Sequence, residues 1–148
     1  YNLMIARPGF TLVEFLIVVG IMTLLAGMTA MMSASTIRYA SFDLARETVR
    51  NELLAAQADA LSGTADSSWG VAFSVHTVTR YKGSSYATRD MAFDRTTVFG
   101  DDIVLNGTSD VVFHRPMDNT SSTATIGITS GVLHATTSVN AVGSISIH

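Results

Sequence analysis

The stretch GFTLVE at residues 9–14 decides the fold, because it opens a long apolar segment. Between Phe10 and Ile37 the only ionisable side chain is Glu14, and no proline interrupts the segment. At about 1.5 Å of rise per residue, residues 10–32 form a helix of roughly 35 Å, which exceeds a bilayer's hydrocarbon core of about 30 Å. The sequence therefore predicts an apolar helix that spans a membrane or packs among other apolar helices.

The carboxylate near the start of this helix needs a physical explanation. At mid-bilayer depth, Glu14 would cost at least about 2.5 kcal/mol. One explanation is local, since Thr11-x-x-Glu14 has the form of a capping box, in which each side chain accepts a hydrogen bond from the other residue's backbone amide. The other explanation is a cation on a neighbouring molecule. The residues alone leave both explanations open.

The stretch at residues 9–14, followed by its apolar run, closely resembles the class III signal of type IV prepilins and type II secretion pseudopilins. In that family a prepilin peptidase cuts after the glycine and methylates the new amino terminus. The resemblance implies cleavage between Gly9 and Phe10 and N-methylation of Phe10. It also implies a role in subunit assembly for Glu14, whose capping partner is Thr11.

Residues 1–9 are interpreted as a short leader peptide that contains one basic residue, Arg7. A secretory signal has its cleavage site after the apolar region, whereas here the site precedes that region, so the apolar helix is expected to stay in the mature chain. Whether the leader is removed stays open. If it is retained, Phe10 has no free amine to offer a neighbour's Glu14, and Arg7 becomes the nearest cation in the sequence for subunit assembly.

Charged residues appear after Ile37, and the apolar pattern changes. Apolar residues recur there at spacings of three and four, which predicts an amphipathic helix. These positions are Ala45, Val49, Leu53, Ala56 and Ala60. Gly63 is a typical residue for ending a helix. We therefore expect one helix from about Thr11 to about Leu61.

The rest of the chain is rich in Gly, Ser and Thr and contains short apolar runs. Trp69, Val71, Phe73 and Val75 alternate with small or polar residues, which predicts a half-buried strand. Further strands are predicted at 76–82, 91–93, 96–99, 103–105, 111–114, 123–129, 132–139 and 145–147. Turns are expected at 82–85, 100–102 and 106–107, and an exposed loop at 118–122. Such spacing is typical of an antiparallel sheet domain, which the Ala45 face of the helix would cover.

The predicted fold class is α+β, with a long N-terminal helix packed on a C-terminal antiparallel β-sheet domain. The domain organisation is a leader at 1–9, a hydrophobic transmembrane or filament-core helix at 10–37, an amphipathic helix half at 38–62 and a β-rich globular head at 63–148. The pattern Trp-Gly-Val-x-Phe at 69–73, with Val-Val-Phe at 111–113, is also similar to H-type pseudopilins and FimT-like pilins. This similarity implies a long helix packed on a β-sheet.

The composition argues against several functions. The chain has no cysteine, so it forms neither a disulfide nor a thiolate metal site, and its net charge of −3 argues against a generally basic nucleic-acid binder. No two of its four histidines lie three or four residues apart, so no zinc motif is present, and no metal or cofactor is expected. The acidic residues at 90, 94, 101 and 102 lack the spacing of a calcium loop. Neither a phosphate-binding loop nor a Gly-x-Ser-x-Gly elbow occurs, and we expect no enzyme activity.

One basic group points to nucleic acid. It consists of Arg80, Lys82, Arg89 and Arg95, with Tyr81 and Tyr86 among them. Basic side chains bind phosphates and aromatic rings stack on bases, and FimT-like pilins are associated with DNA uptake. However, residues 62–148 carry five basic and seven acidic side chains, so the alternative is a solvated strand face.

The resemblance implies a structural pilin subunit of a type IV pilus-like filament. Its partners would be copies of itself, the membrane before assembly, the prepilin peptidase and the pilus assembly platform. It would begin as a single-pass precursor in the cytoplasmic (inner) membrane and end in an extracellular filament, as in protein secretion or cell adhesion. One alternative is a minor pilin or type II secretion pseudopilin at the filament tip, including one that binds DNA in uptake. Another is a membrane-anchored binding module unrelated to pili.

Overall fold

The structure, a computed structural model, describes residues 9–114 and 123–148, except for the side chains of residues 29–35. The chain divides into two compact units, Tyr1–Ile37 and Arg38–His148, and each is described by itself. The division falls just before Arg38, the first charged residue of the helix after Glu14. The predicted leader residues 1–8, which include Arg7, and the predicted loop at 118–122 lie outside the described residues.

The described residues form one helical element, two short 3-10 turns and eight strands, so the fold is α+β. Helix α1 comprises Leu12–Ser62. The strands are β1 Trp69–Ser74, β2 Thr77–Lys82, β3 Asp90–Val98, β4 Val104–Gly107, β5 Asp110–Phe113, β6 Ala124–Ser130, β7 Leu133–Val139 and β8 Ile145–Ile147.

The strands form two four-stranded antiparallel sheets. The first has the order β3-β2-β1-β5 and the second the order β4-β6-β7-β8. The sequence predicted antiparallel strands but did not divide them between two sheets. The reason is that alternation marks where a strand lies, whereas the choice of partner depends on contacts between distant residues.

The second half of α1 packs against the sheets of its own unit. Its five predicted apolar positions are at most 1% exposed: Ala45, Val49, Leu53, Ala56 and Ala60. They share one core with residues of both sheets, among them Val71 and Ile126. The helix begins and ends within one residue of the predicted bounds, and Gly63 adopts the left-handed conformation (φ 70°) that glycine tolerates best. The predicted helix face is therefore confirmed.

Strand β1 differs from the prediction in its burial. It was expected to be half-buried, yet Gly70 and Ala72 on its other face are also buried. A second, smaller apolar cluster of Ala72, Tyr81 and Val112 covers that face. The prediction of a half-buried strand was wrong because the covering residues come from elsewhere in the chain.

Two other predictions are corrected by the pairing of the strands. The runs at 91–93 and 96–99, expected as separate strands, belong largely to the single strand β3. The turn expected at 106–107 lies instead inside β4, where Asn106 pairs with Gly127 and Gly107 pairs with Ile126. Gly107 has a φ of 101°, a conformation that favours glycine. A glycine is therefore needed here for the backbone conformation and not for a two-residue hairpin.

Candidate functional site

The start of α1 has the geometry of a capping box. The Glu14 amide donates to Thr11 Oγ1 at 3.3 Å, and the Thr11 amide donates to Glu14 Oε2 at 3.5 Å. The first intrahelical bond, from the Phe15 amide to the Thr11 carbonyl, measures 3.2 Å. The predicted capping box is confirmed. It orients the Glu14 carboxylate while leaving the side chain exposed, so this acid remains accessible to a second partner.

The segment predicted for processing precedes the helix. Gly9 and Phe10 lie in exposed, non-helical backbone, and Phe10 is 82% exposed. A peptidase needs its substrate bond outside regular structure, so the position is compatible with cleavage between these two residues. Cleavage, N-methylation of Phe10 and the role of Arg7 remain predictions.

The first half of α1 exposes apolar side chains around its whole circumference. From Leu12 to Met28 its large apolar side chains are between 43% and 77% exposed. A helix that is apolar on all sides is typical of one surrounded by lipid or by other apolar helices, and an exposed apolar surface of this size marks an interaction site. Over the ranges the structure describes, no helix combines the length and the hydropathy needed to cross a bilayer.

Arg80, the first residue of the predicted DNA-contact group, faces α1. Its Nε lies 3.1 Å from Glu52 Oε2, its Nη1 contacts Asp59 Oδ2, and its side chain is only 13% exposed. The guanidinium also lies 6.0 Å from the centre of the Trp69 ring. These contacts join the first sheet to the helix. Because the guanidinium is already paired and mostly buried, little of its surface is accessible to a phosphate.

Lys82 and Arg89 are also engaged. Lys82 Nζ lies 4.4 Å from the centre of the Phe93 ring and 3.9 Å from Asp90 Oδ2. Arg89 Nε donates to Asp94 Oδ2 at 2.8 Å, a hydrogen bond that raises the pKa of Arg89.

Arg95 is exposed on the outermost strand of the first sheet. The structure thus places three of the four basic residues, Arg80, Lys82 and Arg89, beside carboxylates. Contact with DNA remains a prediction for Arg80, Lys82, Arg89 and Arg95, and these ion pairs argue against it.

The described part of the chain contains no group of three or more His, Asp or Glu side chains arranged to hold a metal ion. His76 instead donates from Nδ1 to the Ile103 carbonyl at 2.7 Å. Asp102 accepts a hydrogen bond of 3.1 Å from the Ser41 hydroxyl. The first bond joins two loops of the second unit, and the second joins a loop to helix α1.

Sequence reasoning missed a polar pair on the outer face of the first sheet. The Tyr81 hydroxyl donates to Asp110 Oδ2 at 3.0 Å, and burial, with the Asp110 charge as the second cause, raises the pKa of Tyr81. A Cβ at Gly70 would clash with the Tyr81 ring. The available signal was Gly70 itself, because a glycine inside a strand often marks the close approach of another group.

Models of protein families, curated proteins and solved structures were each compared with this chain, and none of them matches.

Proposed function

We propose that this chain is a structural subunit of a type IV pilus-like filament that assembles through its apolar N-terminal helix. The observation that carries the proposal is the exposure of apolar side chains on every side of Leu12–Met28. At about 25 cal/mol per Å² of apolar surface, so large an area is costly to leave in water. Lipid covers it before assembly, in the cytoplasmic membrane, and helices of identical subunits cover it in the extracellular filament.

Glu14 sets the register of the packed helices in this proposal. Its carboxylate is oriented by the capping box and has oxygen lone pairs to spare. Among apolar helices an unpaired carboxylate is costly, so an axial shift that removes its cation is disfavoured. The cation is the amino terminus of Phe10 on a neighbouring subunit if the leader is removed, and Arg7 of a neighbour if it is retained.

Close packing supports the same arrangement. Without a hydrophobic driving force between helices in lipid, association depends on van der Waals contact, which small residues allow. Gly20 and Gly27 are such residues, and a Cβ built at either position meets no atom within 4 Å. Their open surface gives a neighbouring helix room to approach closely.

The test compares Glu14→Ala with Glu47→Ala, which removes an exposed acid from the second half of the same helix. We expect both variants to enter membranes, but only Glu47→Ala to form regular filaments when examined by electron microscopy. Glu14→Asp should retain part of the assembly, since it keeps the charge. Regular filaments from Glu14→Ala would leave Glu14 with a capping role alone and would overturn the register proposal.

Crosslinking tests the helix contact directly, because the chain has no cysteine of its own. A single cysteine at Leu16, in the apolar half, should form disulfide-linked dimers within filaments. A cysteine at exposed Val142, in the head, should not. A Leu16→Cys chain that stays monomeric in membranes and is found in no filament would instead favour a membrane-anchored binding module.

Two further measurements show whether the leader is removed and whether the subunit lies in the shaft or at the tip of the filament. Mass spectrometry of the N-terminal peptide should find a methylated Phe10 if the leader is removed, which would exclude Arg7 as the cation. The amount of this chain in purified filaments separates a shaft subunit from a minor pilin or secretion pseudopilin at the tip.

A further inference from the structure

A pocket of about 440 Å³ lies on the outer face of the first sheet, within the second unit. It is lined by residues with hydroxyl, carboxylate and aromatic groups, which include Ser74, Ser85, Ser109, Tyr86 and Asp110. The volume falls in the usual range for small-molecule sites, which combine apolar surface with a few polar groups. Neither the apolar helix nor Glu14 takes part in it.

The loop that forms one wall of the pocket is held in place by several contacts. The Thr88 amide donates to Ser85 Oγ at 3.3 Å, which caps the 3-10 turn Tyr86–Thr88. Arg89 donates from Nη1 to the Tyr86 carbonyl at 2.8 Å, and its guanidinium carbon lies 3.9 Å from the centre of the Tyr86 ring. The pocket wall is therefore preorganised, which lowers the entropic cost of binding.

The pocket lining also contains an oriented carboxylate. The Tyr81 hydroxyl occupies Asp110 Oδ2, so the second oxygen of Asp110 keeps its capacity to accept hydrogen bonds. Tyr81 reaches this position because Gly70 leaves space for its ring. The arrangement fixes an acceptor at the edge of the pocket.

The chemistry of the lining indicates the class of ligand. Asp110 is the formally charged residue among those that line the pocket. The guanidinium of Arg89 behind Tyr86 is already paired with Asp94, so the lining disfavours phosphates and other anions. Serine hydroxyls both donate and accept, and Tyr86, at 39% exposure, offers apolar ring surface. A neutral sugar matches this set, since its hydroxyls bind the carboxylate and serines while its CH groups contact the ring.

We propose that this pocket binds a neutral hexose unit of a glycan. Asp110 accepts hydrogen bonds from two sugar hydroxyls, the serine hydroxyls complete the polar contacts, and the exposed part of Tyr86 packs on the sugar ring. The site does not depend on filament assembly, so it holds or fails separately from the function proposed above.

The test is saturation-transfer NMR on the full chain in a zwitterionic detergent, because sugar-based detergents would compete. The probes are the methyl glycosides of glucose, galactose, mannose and N-acetylglucosamine, with glucose 6-phosphate as an anionic probe and spermidine as a cationic one. We expect saturable, millimolar binding of at least one glycoside and none of glucose 6-phosphate.

Variants locate the binding. Asp110→Asn removes the charge but keeps an oxygen that accepts the Tyr81 hydrogen bond, and it should weaken the glycoside at least about tenfold. Ser74→Leu places a bulky side chain at the exposed edge of the pocket and should abolish binding even if Asp110→Asn does not fold. Asp101→Asn, which changes an exposed acid outside the pocket, is the matched control and should bind as the wild type does.

The proposal is overturned if no glycoside binds, if spermidine binds in their place, or if folded Asp110→Asn and Ser74→Leu bind the glycoside with wild-type affinity. Near-UV circular dichroism of Trp69 and the tyrosines reports whether each variant is folded. Loss of glycoside binding with filaments intact would support the pocket and leave the assembly proposal unaffected.

Discussion

The two halves of α1 use similar apolar residues for different purposes. In the first half, large apolar side chains from Leu12 to Met28 are exposed on every side. In the second half, residues such as Val49 and Leu53 form one buried stripe, while Arg46 and Glu47 face the solvent side with ion-pair partners one turn away. One half is covered by residues of its own chain, whereas the other leaves its apolar side chains exposed, and in the function proposed above lipid or neighbouring subunits cover them.

The apolar composition of a helix does not by itself reveal what stabilises that helix. The second half contributes to the folding of its unit because burial removes apolar surface from water. The first half leaves its large apolar side chains exposed, so it contributes little to that folding. Substitutions in the two halves should therefore separate stability from assembly.

The largest effect on stability is expected from Leu53→Ala. Leu53 is 0% exposed in the core, and truncating a buried leucine costs about 2–5 kcal/mol. Leu24→Ala removes the same atoms from a side chain that is 66% exposed and should change the free energy of unfolding by less than about 0.5 kcal/mol. Urea unfolding followed by the fluorescence of Trp69, the only tryptophan, measures both. Equal losses of stability in the two variants would show that both halves of α1 contribute to folding alike.

The next effect is expected from Arg80→Met, because it leaves Glu52 and Asp59 without their shared cation in a half-buried place. Breaking such a pair costs about 3 kcal/mol. Arg50→Met breaks only the exposed pair with Glu47 and should cost less than about 0.5 kcal/mol. The same urea titration compares the two variants, and an equally small loss in Arg80→Met would show that this ion pair contributes little to holding the helix on the sheet.

A smaller effect is expected from Tyr81→Phe, which removes the hydrogen bond to the Asp110 carboxylate. The loss should be about 1.5 kcal/mol at neutral pH. Because the folded pKa of Tyr81 is raised, its stabilising contribution is fully present below about pH 10, the ordinary tyrosine value, and is lost as the pH rises further.

Unfolding measured between neutral and alkaline pH tests the sign of this effect. The wild type should lose stability above about pH 10 more steeply than Tyr81→Phe. The neighbours of Tyr81 that also carry or acquire charge are Asp110, Arg89 and Tyr86. Exposed Tyr39→Phe is the control and should leave the pH dependence unchanged. Parallel curves for wild type and Tyr81→Phe would contradict the raised pKa.

The smallest effect is expected from Thr11→Ala at the capping box. Losing the cap costs about 1 kcal/mol locally and should lower the exchange protection of the Glu14 and Phe15 amides by about fivefold in detergent. The urea midpoint of the head should stay unchanged, since the cap lies in the other unit. Thr11→Ser keeps a hydroxyl and should restore protection. Unchanged amide exchange in Thr11→Ala would show that the capping box does not stabilise the start of the helix.

Local sequence patterns predicted much of this fold. The spacing of Ala45, Val49 and Leu53 indicated the buried face of α1, and Gly63 indicated its end. Thr11 and Glu14 indicated the cap. These features depend on residues a few positions apart, which helix geometry brings together without help from the rest of the chain.

Four features depend on the tertiary structure. They are the division of strands between two sheets, the burial of β1 on both faces, the pairing of Arg80 with Glu52 and Asp59, and the pocket beside Asp110. Each joins residues far apart in the chain, and alternation or charge along the sequence does not say which distant groups will meet. An apolar helix with a capped acid could be predicted from the residues alone, because periodicity and capping depend on near neighbours in the chain. The partners of its polar groups required the packed chain.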